Sequence, residues 1–270
     1  MSITGENSWK MLKKANTMPG KLLKALRSPR IIYNVLVAWY LPLHNRFYRR
    51  LPLPPECALP ALNEIYQHTL QDTDISDHLP ALFAAALRTC PRMMVELGVR
   101  GGQSTFVLQR VAQLCGCPLI SIDMDDCSQV SDWKEWRFVQ SDDVAFAQRF
   151  QEYCLSEGLK HSDLDFLFLD TSHLYDHTVA ELKAWMPLLS SKAVLVLHDS
   201  NQRHTIKRED GRRMLGLENR GVTSALETVL HCTLQETRDY TAVQQGWLIT
   251  HRAVSNGLTI LERIPCLPAV

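Results

Sequence analysis

Several large protein classes are excluded by what this sequence lacks. Its 270 residues carry 29 Lys+Arg against 29 Asp+Glu, so no net charge draws the whole chain to a polyanion. Among its eight cysteines no Cys-x-x-Cys pair occurs, and apart from Cys115-Gly116-Cys117 they are scattered. Nothing marks a secreted disulfide framework, and reduced, mostly buried thiols of a cytoplasmic chain are expected. The nearest approach to a membrane span, Ile31 to Leu43, is thirteen residues interrupted by Asn34 and Pro42. That is short of the ~20 apolar residues a bilayer needs. It also lies behind a long basic stretch, too far from the N-terminus for an ordinary signal peptide. There is no Gly-x-Gly-x-x-Gly, no Gly-Lys-Ser/Thr, no internal repeat and no low-complexity tract. A dinucleotide fingerprint, a P-loop and a solenoid are therefore set aside.

What is present is organised around Met93 to Asp123. An apolar run, Met93, Met94, Val95 and Leu97, is short and ends in the turn Gly98-Val99-Arg100-Gly101-Gly102, which reads as a buried strand entering a Gly-rich loop. Glycine lets such a loop pass close to a ligand, having no Cβ and tolerating φ > 0. Ser104 and Thr105 open a helix whose apolar period runs through Phe106, Val107, Val111 and Leu114, and a second strand, Leu119 to Ile122, ends in Asp123. This is a β–Gly loop–α–β–Asp unit, the first half of a nucleotide-binding Rossmann sheet. The acid about twenty residues past the glycines is placed to bind ribose hydroxyls.

Ahead of this unit, residues 1–50 hold ten basic residues, Lys10, Lys13, Lys14, Lys21, Lys24, Arg27, Arg30, Arg46, Arg49 and Arg50, against the single acid Glu6. A basic helix is expected over residues 7–27, broken near Pro19-Gly20, and a second over Ile31 to Tyr48 with Trp39, Tyr40, Phe47 and Tyr48 beside arginines. Two readings stand for this arm: a helix lying in a membrane interface, or one packing on the catalytic body as a lid or dimer contact. No nucleic-acid reading motif accompanies the charge, so nucleic acid is not an expected partner. Leu51-Pro-Leu-Pro-Pro55 reads as a stiff linker. The expected division is 1–54 as arm and linker and 55–270 as catalytic domain, with its core at about 90–263.

Helices are expected over Glu56 to Leu70 and Asp77 to Arg88. Later strands are expected at Trp136 to Gln140, Leu164 to Leu169 and Ala193 to Leu197, with closing strands at Cys232 to Tyr240, Gly246 to His251 and Gly257 to Arg263. Helices are expected after Ser141-Asp142-Asp143, through Val179, Leu182 and Trp185, and over Val222 to Leu230. The polar stretch Asn201 to Arg220 reads as a mobile substrate lid. In an open parallel sheet ligands bind beyond the carboxyl ends of the strands. Glu96/Gly98, Asp123, Ser141/Asp142, and Asp170 with His198/Asp199 all fall at that edge. A purely structural sheet has no need of four apolar runs that each end in an acid.

From about Asp74 to Arg263 the phrases Ile75-Ser76-Asp77-His78-Leu79, VELGVRGGQST, FVQSDD, LDFLFLDTSHLYDHTVAELKAW, VLVLHDS and NGLTILER together resemble one group of bacterial and viral class I S-adenosylmethionine (SAM) methyltransferases. These are similar to cephalosporin-hydroxylase-like and glycan- or macrolide-modifying O-methyltransferases. The resemblance implies an α/β fold: a Rossmann-like class I sheet with helices on both faces, here preceded by a basic helical segment. It implies SAM as cofactor, with Glu96, Gly98 and Gly101 bordering the methionyl end and Ser104 near its carboxylate. Asp123 would take the ribose, Ser141 and Asp142 the adenine edge, and Asp170 would lie beside the sulfonium. Helix N-capping is the competing role for Asp142 and Asp143.

Methyl transfer to a hydroxyl needs an oxygen positioned and deprotonated. His173, three residues after Asp170, is the first candidate base, with His198 and Asp199 as rivals; His177 reads as a surface or packing residue. Related O-methyltransferases bind Mg²⁺ through an acid after the fourth strand and an acidic or amide pair after the fifth. Asp170 and Asp199 match as tentative metal ligands, whereas Ser200 is a poorer donor than the family's second residue. The expected acceptor is a small molecule or a sugar or glycolipid hydroxyl, in a cytoplasmic protein, homo-oligomeric or not, whose residues 1–50 reach a membrane surface in one of the two readings above. Two other classes stay open: a hydroxylase-like or other SAM-site enzyme of the same fold, and a non-catalytic membrane-associated scaffold.

Overall fold

The computed structural model of this chain describes residues 29–264, with the side chains of residues 29 and 30 excepted. The basic helix expected over residues 7–27 lies outside the described residues. In chain order the elements are α1 (Pro29–Asn45), α2 (Pro60–His68), α3 (Leu79–Thr89), β1 (Met94–Leu97), α4 (Gln103–Cys115), β2 (Leu119–Asp123), β3 (Trp136–Gln140), α5 (Asp143–Ser156), β4 (Leu164–Leu169), α6 (Tyr175–Trp185), β5 (Leu189–His198), β6 (Thr205–Lys207), β7 (Arg213–Leu215), α7 (Gly221–Leu230), β8 (Tyr240–Gln244), β9 (Trp247–Arg252) and β10 (Leu258–Arg263).

Eight strands form one sheet in the order β3-β2-β1-β4-β5-β10-β9-β8. The first five are parallel; β10 runs antiparallel to β5, and β9 and β8 complete an antiparallel edge. Side-chain alternation sorts the central strands between two cores. Val95, Leu97, Ile120, Ile122, Leu167, Leu195 and Leu197 pack with Phe146 and Phe150 of α5, Trp185 of α6 and Leu226 of α7. Met94, Leu119, Phe166, Phe168, Val194 and Val196 pack with Phe83 of α3 and Leu108 and Val111 of α4. Helices therefore cover both faces, as expected of strands that are apolar on both sides.

Register decides where the polar strand ends fall. Leu97 pairs with Ile122 and with Leu169, and Leu169 pairs with Leu197. The residues that follow, Gly98, Asp123, Asp170 and His198, therefore stand in one row across four strands. Strand order reverses at β1, between β2 and β4, and the crevice beyond such a reversal is where open α/β sheets bind ligands.

Several boundaries differ from expectation for local reasons. Pro60 and Pro80 occupy the first turns of α2 and α3, where a missing N–H costs nothing, so these helices start later than expected. β8 begins only at Tyr240: Glu236 is taken up by Arg220, and the Asp239 carboxylate accepts from Ala253 N. Asn201 to Arg220, expected as a mobile lid, has regular structure of its own. It contains the β6–β7 hairpin, and the described residues fall into two compact units, one holding α1 through Leu51 with His204–Leu217 and the other Pro52–Arg203 with the chain from Glu218 onward. The first unit thus crosses the boundary expected at residue 54. Within it, Asn45 Nδ2 donates to Arg213 O (2.8 Å), its Oδ1 accepts from Arg213 N (2.8 Å), and Tyr48 lies against Gly211. Among the described residues no helix is long and apolar enough to cross a membrane.

Candidate active site

The Gly-rich loop is held from both sides. Gly98 has φ +89°, and a Cβ on it would stand 2.1 Å from the Asp170 carbonyl oxygen, so only glycine lets the β1 and β4 ends meet here. A Cβ on Gly101 would meet nothing within 4 Å, so the loop is open on that side. Asp123 Oδ2 accepts from Val99 N (2.7 Å) and Arg100 N (3.1 Å), and its Oδ1 accepts from Asp125 N (2.9 Å). The β2 acid is thereby fixed to the loop while staying partly exposed, with exposed Met124 beside it.

Glu96 and Ser104 turn the other way. Glu96 is fully buried, and its carboxylate accepts from Ser104 Oγ (2.6 Å), Thr105 Oγ1 (2.8 Å) and Ser121 Oγ (2.6 Å). Trp136 Nε1 donates in turn to Ser121 Oγ (2.8 Å). Burial pushes the Glu96 carboxyl up to about 7 against the opposing pull of its three hydroxyl donors. These residues brace the loop from beneath rather than border a ligand, which corrects the roles the resemblance implied for both. Period-2 reasoning could not reveal this, because β1 is apolar on both faces.

Asp142 is exposed at the β3 end and has a structural role there. Its Oδ1 accepts from Ala145 N (2.7 Å) as the N-cap of α5, the competing role weighed for it above, while Ser141 stays at the β3 end with its hydroxyl donating to Asp142 O. Asp143 does not cap; it reaches His177, 3.3 Å away.

Four candidates do converge. His198 Nδ1 lies 3.1 Å from Asp170 Oδ1 and 3.5 Å from Asp199 Oδ1, and His173 Nε2 lies 2.8 Å from Asp199 Oδ2 and 4.0 Å from Asp170 Oδ1. His173 and Asp199 both hold φ +57°, a conformation that non-glycine residues seldom adopt and that clusters at functional sites. Burial lowers the basicity of both imidazoles, but the two carboxylates outweigh it: His173 is raised and His198 raised well above the usual range. Burial disfavours the Asp199 carboxylate, yet the imidazoles hold it well below its ordinary value. His198 and Asp199 are almost fully buried, whereas the Asp170 and His173 side chains keep 12% and 19% exposure, so the latter two face incoming molecules.

Sequence reasoning missed the residues that impose the His173 conformation. Asn219 Nδ2 donates to His173 O (2.8 Å), and a Cβ on Gly221 would stand 2.2 Å from that same oxygen. Neither carries a motif; only tertiary structure brings them to the β4 loop.

Asp170, His173 and Asp199 place one ligand atom each within 4.8 Å of one another. The third donor is the imidazole, not Ser200, whose hydroxyl is buried and accepts from Thr259 Oγ1 (2.8 Å). Mg²⁺ demands an oxygen shell, and here both carboxylates are already matched by two imidazoles. The set fits Mg²⁺ poorly.

Residues 95–200 match the family model described as a methyltransferase domain. Rhamnosyl O-methyltransferases of Mycobacterium tuberculosis and Mycobacterium bovis are 30% identical over 118 residues, 41% of this chain and 46% of theirs. The chain thus spans about half the length of the curated relatives it matches. Among solved structures, the O-methyltransferase of Bacillus cereus in complex with SAH is 15% identical over 77% of this chain and 93% of its own, with a TM-score of 0.47. SAH-bound Podospora anserina methyltransferase PaMTH1 is 12% identical over 87% and 97%, also at 0.47. The matched stretch runs from β1 through the glycine loop and Asp123 to the Asp170–Asp199 cluster, so the segment that builds this site is the one that matches a methyltransferase domain.

Proposed function

We propose that the protein is a SAM-dependent O-methyltransferase acting on a sugar hydroxyl, of the kind a glycolipid carries. The observation that carries this reading is the row of Gly98, Asp123, Asp170 and His198 at one sheet edge, with His173 and Asp199 strained towards it. The site fits SAM: the loop is open at Gly101, and Asp123 offers a fixed carboxylate to ribose hydroxyls with Met124 exposed beside it for adenine. When bound, SAM supplies an electrophilic methyl on a sulfonium. Asp170, at the β4 end against the loop, is placed to favour that positive centre.

Proton removal falls to His173. Its Nε2 is engaged by Asp199 at 2.8 Å, which sets the tautomer and leaves Nδ1 to take the acceptor proton, while Asn219 fixes the backbone. Asp199 also steadies the imidazolium that forms. The rhamnosyl specificity of the mycobacterial relatives supports a sugar acceptor.

The first unit supports a lipid-linked acceptor met at a cytoplasmic membrane face. Residues 31–45 of α1 carry no Asp, Glu, Lys or Arg, and the helix exposes Leu36, Trp39 and Leu43 in i, i+3, i+7 register, with Phe47 following. Exposed Arg46 and Arg49 come directly after it, a pattern suited to an anionic interface.

Calorimetric titration with SAM and with NAD tests the cofactor. Micromolar SAM binding that is lost in Asp123→Ala, with no response to NAD, is the expected result. A folded wild-type chain that ignores SAM overturns the reading. The product mass on a rhamnosylated glycolipid should rise by one methylene, and a gain of one oxygen would assign a hydroxylase instead.

A further inference from the structure

Asp143, His177 and Glu181 form a second convergent set that the proposed methyl transfer does not use. Asp143 begins α5, and His177 and Glu181 lie one turn apart on α6, so their side chains project from one face. His177 Nε2 is 3.3 Å from Asp143 Oδ2 and 3.5 Å from Glu181 Oε1, and one ligand atom from each residue lies within 4.8 Å of the others.

Hydrogen bonding accounts poorly for this arrangement. One ring N–H shared between two oxygens makes at best a long three-centre bond, and both separations exceed the usual ~2.7–3.2 Å. A tetrahedral ion with bonds of ~2.05 Å holds its ligands ~3.3 Å apart, which is the spacing seen. Charge points the same way. The Asp143 and Glu181 side chains are 8% and 1% exposed, and neither meets a lysine or arginine among the described residues. Asp170 and Asp199 face two imidazoles; Asp143 and Glu181 face one. Two buried carboxylates and a neutral imidazole are balanced by a divalent cation.

Outer partners and access are in place. Thr171 Oγ1 donates to Glu181 Oε1 (2.6 Å), orienting it as second-layer groups orient metal ligands. A small cavity bordered by Thr171, Thr178 and Glu181 leaves space beside the Glu181 end of the set. The His177 side chain, 31% exposed, opens the set to solvent.

We propose that Asp143, His177 and Glu181 bind a divalent transition ion of the zinc or manganese class, tying the start of α5 to α6. Nitrogen with two carboxylates suits these ions better than Mg²⁺ or Ca²⁺. The test uses the full chain after chelation, titrated with Zn²⁺ against a chromophoric competitor. It is made in an Asp199→Asn background, so that the sheet-edge cluster does not contribute. The Asp199→Asn protein should bind one equivalent and melt at higher temperature when loaded. Adding His177→Ala or Glu181→Gln should weaken that equivalent by at least about tenfold and remove the melting shift. His177 is the least buried of the three, so its variant decides should the glutamine variant not fold. Unchanged zinc affinity in the His177→Ala protein, or no zinc equivalent in the Asp199→Asn protein, overturns the proposal.

Discussion

Gly98 shows how much one residue can fix. With φ +89° and Asp170 O at 2.1 Å from any added Cβ, Gly98→Ala combines backbone strain with a collision against a carbonyl that cannot yield. Such a change should cost about 3 kcal/mol of folding stability, read from urea unfolding, and SAM affinity should fall with it because Asp170 is displaced. Alanine at Gly101, where nothing lies within 4 Å, should leave stability within about 1 kcal/mol of wild type and serves as the control. At this scale the sequence was informative where a strand ended: Asp123, Asp170 and Asp199 follow apolar runs, and a parallel sheet brings such positions to one edge. Glu96 and Ser104 were not legible, because a strand apolar on both faces does not say which way its one acid turns. Nor was His177, whose i,i+4 spacing to Glu181 was visible but whose third partner, Asp143, comes from another helix.

Among elements, the five parallel strands were readable from their apolar runs, whereas β6 and β7 were not. Three residues each, Thr205–Lys207 and Arg213–Leu215, are too few to show a period of two, and Ile206 is the one of them that is well buried. The stretch read as a lid holds a hairpin whose Arg213 is clasped by Asn45 at the end of α1. Nothing local announces a contact made over 168 residues of chain. On α1, Trp39 is 80% exposed, and Phe47 just beyond the helix is 82% exposed. If this stretch meets a bilayer, the full chain should cosediment with vesicles containing anionic phosphatidylserine. Trp39→Ser with Phe47→Ser should lower that binding at least about fivefold, as expected for withdrawing two aromatic anchors, and raising salt should weaken it further. Failure of the wild-type chain to bind such vesicles would remove the membrane from the proposal and leave the methyltransferase reading untouched.

For the whole molecule, stability should vary with pH through groups buried on opposite sides of their ordinary range. Burial disfavours the Asp165 carboxylate, but Arg92, Ser190 and Lys192 outweigh it and hold the group well below its usual value of 3.8. A depressed acid contributes stability above its unfolded pKa and loses it as pH falls, so Asp165 sets an acid limb below about pH 4. Glu96 acts in the opposite sense. Its carboxyl is raised from 4.5 to about 7, so between those values the folded chain keeps a proton that the unfolded chain has released. Stability therefore declines as pH rises through that window, by on the order of 3 kcal/mol in all. The difference between wild type and Glu96→Gln isolates the loop brace from the other groups. The amide keeps an acceptor for Ser104 and can donate to Ser121 or Thr105 by rotating their hydroxyls, without a charge to bury. Urea unfolding of both proteins at about pH 5 and about pH 8 should show a steeper loss for the wild type, by roughly 2–3 kcal/mol. Parallel losses would mean that Glu96 enters the fold already ionised, with its three hydroxyl donors alone sufficient to keep a carboxylate beneath the glycine loop.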